Sequence, residues 1–196
     1  MMTRKIAKPD AQPKKKFETV RINKSIWMAE NFSENVEGSW AIEGRPELGR
    51  LYTLEAAKKA CPKGWHLPYK DDVLALQLIG PIISSRSPGE FLKAKNGWNS
   101  GFGRAIDNCE DIPLFEALPA GVRLKDGTFK FLGDVAAFWT SHRLTGPVHL
   151  FELVGCFCIS GLFHLATIAY LKSSLDPSED EIDGVALSVR YVKNKR

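Results

Sequence analysis

Cys61-Pro62-Lys63-Gly64-Trp65-His66-Leu67-Pro68 is the stretch around which the rest of the chain can be placed. Pro62 drives Cys61 out of helical backbone, so the good helix formers Leu54 to Ala60 predict a short helix that ends here. Thr53 stands where its hydroxyl can accept from the free amides of the first turn. On the other side, Gly64 allows a backbone conformation that other residues resist, and Trp65 brings a large ring with one polar handle into the core. Leu67 and Pro68 set the entry to a second helix. Asp71 and Asp72 suit its positive end, Val73, Leu76 and Ile79 share one face, and Gly80-Pro81 ends it. The stretch is thus a corner between two helices, and Cys61, Gly64, Trp65, His66, Leu67 and Pro68 take structural roles. A histidine between tryptophan and leucine predicts a core side chain hydrogen-bonded to backbone in preference to a ligand or base.

Upstream, Phe17 to Ile22 alternates apolar and polar residues, Asn23-Lys24 is a turn, and Ser25 to Met28 returns, which predicts an opening hairpin. Downstream, Ile82 to Asp111 is rich in Ser, Gly, Asn and Pro with isolated large side chains, a long loop region pinned by its aromatics. The last eighty residues alternate apolar runs with turn signals: Phe115 to Leu124, Thr128 to Leu132, Val135 to Thr140, Leu150 to Ile159, Leu162 to Leu171 and Val185 to Val192. That spacing predicts a meandering antiparallel sheet, and with the two helices an α+β domain over residues 17–196. Residues 1–16 have little to bury and read as a flexible basic arm.

The net charge of +4 resides in that arm, where Arg4, Lys5, Lys8, Lys14, Lys15 and Lys16 face only Asp10, so the body carries −1. A neutral body offers no basic face to track phosphates, which argues against nucleic acid as partner. No apolar stretch follows the basic N-terminus, so a cytoplasmic location, or export by a non-classical route, is expected. The longest apolar run, Phe151 to Tyr170, is interrupted by Glu152, Ser160-Gly161 and His164; it predicts two buried strands and no membrane span. Cys61, Cys109, Cys156 and Cys158 lack the density of a disulfide scaffold.

Several residues carry possible chemistry. Alternation along a strand sets Cys156 and Cys158 on one face, with His149 or His164 on a neighbouring strand, but zinc sites usually draw cysteine pairs from turns, so packing is the expected role. Asp176, Glu179, Asp180, Glu181 and Asp183 supply oxygen donors, with Asp176, Asp180 and Asp183 as weak calcium ligands, yet the spacing is not that of an EF-hand loop and a solvated acidic loop is expected. No nucleophile elbow, phosphate-cradling glycine loop or paired-histidine motif is present, so no enzyme and no cofactor is expected. Trp40, Phe91, Trp98, Phe102, Arg104 and Arg143 lie in segments that do not read as buried strands, and rings with guanidinium groups suit a recognition surface for protein or glycan.

Trp27 to Phe32, Gly49 to Thr53, Ala56-Ala57, Cys61 to Pro68, Leu92-Lys93, Trp98, Ala117 to Arg123, Phe138 to Ser141 and Ser188-Val189-Arg190, taken in order, resemble the Fibrobacter succinogenes major paralogous domain. The resemblance runs from about Ile22 to Lys193. It implies a C-type-lectin-like or formylglycine-generating-enzyme-like fold, with the chain ends paired as strands (Phe17 to Ile22 with Val185 to Val192) and structural places for Trp139 and Arg190. Two departures stand out. Family members commonly have a small capping residue after Leu-Pro and a tryptophan early in the second helix, where this chain has Tyr69 and Val73, so the cap is weaker or comes from elsewhere. Members often end in Ser-Val-Arg-Cys, whereas Tyr191 follows Arg190 here, so a cystine between that position and Cys61 cannot form. The implied function is a non-enzymatic recognition or structural module, acting through its long loops as a possible subunit of an assembly. The alternatives are a carbohydrate-binding adhesin or phage-tail-like receptor-binding component, and a formylglycine-generating-like enzyme using Cys156 or Cys158 with copper.

Overall fold

The computed structural model describes residues 16–77, 92–99, 115–141, 151–153, 156–160 and 184–195. The arm before Lys16, the end of the second helix, most of the 82–111 loop region, Leu162 to Leu171 and the acidic run lie outside the described residues. Within them the chain is mixed α and β, with mostly antiparallel sheets and two helices.

The opening hairpin is β1 (Thr19–Ile22) and β2 (Ser25–Met28), paired from Thr19↔Met28 to Ile22↔Ser25. Asn23 adopts positive φ in the turn, a conformation asparagine tolerates. A two-stranded ribbon follows, β3 (Ser39–Ala41) against β4 (Arg50–Tyr52). Helix α1 (Leu54–Lys59) begins as expected, with Thr53 accepting from the Ala56 amide. The corner contributes β5 (Trp65–His66), and helix α2 begins at Lys70 and is described to Gln77. Gly64 has a φ of +88° at the bend, which explains a glycine there. Later come β6 (Val122–Arg123) with β7 (Phe129–Lys130), then β8 (Val135–Trp139), β9 (Phe151–Leu153), β10 (Cys156–Ser160) and β11 (Val192–Lys193).

Four details differ from the sequence reading. The final strand joins the opening hairpin, but its partner is β2 and not the Phe17–Ile22 segment; the sheet order is β1-β2-β11-β5. Every residue of β2 except Ile26 is buried, whereas β1 exposes Thr19 and Arg21, so β2 takes the place that has neighbours on both sides and β1 the edge. Phe17 lies before the strand and meets Phe32 and Trp65, with ring centroids 6.0 and 5.8 Å away. Val185 to Val192 is not one continuous strand. Its residues make single bridges in passing, Ala186 to Arg123, Leu187 to Tyr52 and Ser188 to Phe138, which ties three separate pieces to the C-terminal segment. Finally, the run Leu150 to Ile159 folds back on itself, with Leu153 opposite Cys156, so the chain reverses earlier than at Ser160-Gly161.

The core is largest around Tyr52, Trp139, Val122, Leu187 and Tyr191, with a second cluster around Trp27, Phe115, Phe138 and Leu92. β8 runs between them and is buried at all five positions, because alternate side chains serve opposite clusters: Ala137 and Trp139 one, Ala136 and Phe138 the other. Trp139 spends its indole N–H on the Tyr52 carbonyl at 2.6 Å.

Tyr191 follows Arg190 and is fully buried. Its hydroxyl donates to the Ala57 carbonyl at 2.6 Å. Ala57 is in the last turn of α1, where the Cys61 amide donates to Lys58 instead, so the phenol satisfies a carbonyl the helix leaves over. Burial pushes the Tyr191 phenol well above its ordinary range, and it stays a neutral donor. The link between C-terminal segment and α1 is thus kept by a hydrogen bond. Tyr191→Phe is expected to lower unfolding free energy by about 1–2 kcal/mol, read from urea denaturation midpoints at unchanged slope.

Candidate functional site

The corner and the C-terminal segment hold the polar side chains from which a site could be built, and their partners decide what they can do. Asp72 is only 6% exposed and acts as a hub. One carboxylate oxygen accepts from the Ser25 hydroxyl at 2.6 Å; the other accepts from the Tyr69 amide at 3.0 Å and lies 3.2 Å from His66 Nε2. The Tyr69 carbonyl accepts the first bonds of α2, so Tyr69 is the residue before the helix and Asp72 reaches back to its amide. This is half of a capping box, with the small hydroxyl residue replaced by tyrosine. The cap missing from Tyr69 is therefore supplied by Asp72 from within the helix.

His66 differs from the expected histidine bonded to backbone. Its Nδ1 lies 2.7 Å from the Asn194 side-chain oxygen and its Nε2 faces Asp72, while its ring stacks on Tyr69 at 4.3 Å. Both nitrogens are engaged, so the imidazole joins α2 to the end of β11. Ser25 gives its proton to Asp72, leaving an arrangement with the carboxylate at its centre, not a hydroxyl facing an imidazole. Trp65 is half-buried at the margin of the core and not sunk within it, with Phe17 covering one side. Cys61 donates its thiol to the Trp65 carbonyl at 3.3 Å, and burial pushes its pKa up, which favours the thiol over the nucleophilic thiolate.

Arg190 is 1% exposed. Its Nε donates to Asn31 Oδ1 at 2.8 Å, Nη1 to the Phe115 carbonyl and Nη2 to the Glu116 carbonyl at 3.0 Å. The guanidinium lies 4.5 Å from the centre of the Phe115 ring and 5.6 Å from that of Phe138. Burial pushes its pKa down to about 9, opposed by the charges of Glu116 and Glu30, so it remains a cation at neutral pH. Above it lies a groove of about 330 Å³ walled by Glu30, Asn31, Glu47, Glu116 and Leu118.

Of the six proposed recognition residues, Phe91, Phe102, Arg104 and Arg143 lie outside the described residues, as do Asp176, Asp180 and Asp183. Trp98 and Trp40 are described, and they belong to different clusters. Trp98 donates its indole N–H to the Ala117 carbonyl at 3.2 Å beneath Lys93, whose ammonium is 5.2 Å from the ring, so it pins the loop to the core. Trp40 sits half-buried on β3, and Arg123 lies 3.9 Å over its ring. Arg123 is in turn the cross-strand partner of Phe129, which is 42% exposed. Arg123 and Phe129 are two residues the sequence reading did not single out. Cys156 and Cys158 stand in register with Trp139 and Ala137. Among the described residues no group of three metal-ligating side chains comes together, and no helix is long and apolar enough to cross a membrane.

Two substitutions separate these roles. Asp72→Ala removes three hydrogen bonds from a buried carboxylate and is expected to cost about 3 kcal/mol, measured by denaturant unfolding. Arg190→Lys keeps the charge but cannot serve three acceptors from one planar fork, and a loss of about 3–5 kcal/mol is expected in the same assay.

Neither the curated proteins nor the solved structures contain a match to this chain. The Fibrobacter succinogenes major domain model matches residues 20–193, from β1 through β11, and takes in the Cys61–Pro68 corner and the buried Arg190. The chain belongs to the Fibrobacter succinogenes major domain family.

Proposed function

We propose that this domain is a non-enzymatic recognition or structural module with a C-type-lectin-like arrangement, which binds a protein or glycan partner through its loop side. The observation that carries this reading is the contrast between two sets of side chains. Asp72, His66 and Arg190, which have the chemistry a catalyst uses, spend it on internal bonds. The half-buried Trp40 and Arg123 and the exposed Phe129 instead leave two rings and a guanidinium group partly open to solvent. Aromatic and arginine side chains dominate the energetics of recognition, since they bury large areas at low entropic cost and still hydrogen-bond. The pairing of β11 with the second strand of the opening hairpin supports the lectin-like arrangement, because it brings the first and last described strands into one sheet.

The test begins with glycan-array and partner-protein screening, with and without calcium, followed by titration of the best binder. Trp40→Ala and Arg123→Ala are expected to weaken binding at least about tenfold while the fold is kept, as hot-spot truncations do. Trp98→Ala is expected to lower stability and leave affinity intact. Unchanged affinity in the first two variants would place the recognition surface elsewhere.

A further inference from the structure

Residues 95–97 form a short loop whose two ends are pinned to a single atom. The Ala117 carbonyl oxygen accepts from the Ala94 amide at 3.0 Å and from the Trp98 indole N–H at 3.2 Å. The tip between these anchors is Asn96-Gly97, and both residues are exposed. Neither makes a hydrogen bond among the described residues.

The other described asparagines are engaged or hindered. Asn23 donates to the Ala75 carbonyl, Asn31 is held by Leu48 and Arg190, Asn99 donates to Leu132 and Asp134, and Asn194 meets His66. Asn35 is followed by Val36, whose branched side chain crowds the intervening amide. The acidic counterpart Asp126-Gly127 is tied as well: Asp126 accepts from the Thr128 amide and hydroxyl, and the Gly127 amide donates to the Leu124 carbonyl. We infer that Asn96-Gly97 is a self-modification site, which converts to isoaspartate as the protein ages and thereby loosens the Trp98 anchor.

The Gly97 backbone nitrogen attacks Cγ of Asn96; the new N–Cγ bond closes a cyclic imide, the Cγ–Nδ2 bond breaks, and the nitrogen's proton leaves with ammonia. Water then opens the ring. At the Asn96 main-chain carbonyl carbon it breaks the bond to the Gly97 nitrogen, and the chain afterwards runs through Cβ and Cγ; at Cγ it gives aspartate with an ordinary backbone. Ammonia is exchanged for water, and no oxidant or reductant takes part. Glycine has no Cβ to shield its nitrogen, and the reacting groups are held in one chain. Isoaspartate adds a backbone carbon between two anchors that share one oxygen. The Ala94 end is a backbone bridge reinforced by the Ala117 amide on the Leu92 carbonyl, whereas the Trp98 end is a side-chain bond, so the added length is taken up at Trp98. The inference is independent of the recognition surface at Trp40, and the two fail separately.

Ageing the full chain at physiological temperature and neutral pH tests it against fresh protein. Peptide mass spectrometry reads the exchange of ammonia for water at each asparagine, and methyl transfer by an isoaspartyl methyltransferase reads isoaspartate. Proton exchange at the Trp98 indole, assigned by NMR with a Trp98→Phe variant, reads the anchor. Conversion at Asn96 is expected at least about tenfold faster than at Asn99, whose amide must first give up two hydrogen bonds. In the isoaspartate form the Trp98 indole is expected to exchange about tenfold faster, the scale of one lost hydrogen bond. Asn96→Gln, whose longer side chain closes the ring poorly, is expected to show neither change. Freshly purified Asn96→Asp, which carries the charge without the extra backbone carbon, is expected to exchange at the rate of fresh wild type. Conversion at Asn96 no faster than at Asn99 overturns the inference. So does isoaspartate that leaves indole exchange unchanged, and so does fast indole exchange in fresh Asn96→Asp or in aged Asn96→Gln.

Discussion

A buried cation with no counter-ion within ion-pair distance among the described residues is the constraint on which most of this domain depends. Arg190 is surrounded by carbonyl oxygens, an amide oxygen and two aromatic faces. Removing a guanidinium group from water is costly, and only a complete set of acceptors offsets it. Those acceptors come from Asn31, after the opening hairpin, and from Phe115 and Glu116, more than seventy residues before Arg190. Asn31 is fixed in its turn by donating to the Leu48 carbonyl at 2.8 Å. Four separated segments therefore have to arrive together or the charge is left unsatisfied. Packing reinforces the demand: Phe115 meets Trp27 and Phe138 edge to face, so the rings that flank the cation belong to the second core cluster.

The residue after this cation does different work. Tyr191 points to the other cluster, meeting Phe32 edge to face at 5.1 Å and donating to the end of α1. Consecutive residues on an extended segment face opposite ways, so positions 190 and 191 fasten the C-terminal segment to both sides of the structure. Tyr191 holds this arrangement without oxidation chemistry. It fastens the segment with a hydrogen bond and an area of buried ring.

Much of the scaffold was legible because the relevant rules are local. Thr53, Pro62 and Gly64 act through backbone geometry within a few residues, and the opening hairpin follows from alternation and a turn. What was not legible depends on distance along the chain. Nothing near Ser25 marks it as a partner of Asp72, and nothing near His66 announces Asn194, because such bonds are made by elements that meet only in the fold. The spacing of Tyr69 and Asp72 did hold a usable signal, an acid three residues after a helix entry, but the tyrosine masked it. The choice of β2 over β1 as the inner strand was readable in the greater apolar weight of Ile26, Trp27 and Met28. Trp40 and Trp98 show the limit on the functional side. Both were large rings in weakly patterned segments, and only their neighbours distinguish an anchor whose N–H is spent on a carbonyl from a ring shared with a half-buried guanidinium.

One segment connects the interior constraint to both outer surfaces. Between Phe115 and Arg123 the chain gives Arg190 two carbonyls, lines the groove with Glu116 and Leu118, and then delivers Arg123 to Trp40. Its backbone is unusual where it must be. Glu116 has a φ of +51°, and at Gly121 an added Cβ would lie 2.3 Å from the Lys130 carbonyl oxygen, so no larger residue fits without displacing β7. A path this constrained would not persist in water by its own preferences; it is held by the buried cation at one end and by the Val122↔Lys130 and Arg123↔Phe129 pairs at the other. The segment between these two anchors is therefore positioned with the rigidity of the core, and it leaves only Glu116, Leu118 and Arg123 partly exposed. That is the property a recognition surface requires, since side chains already held in place lose little freedom on binding.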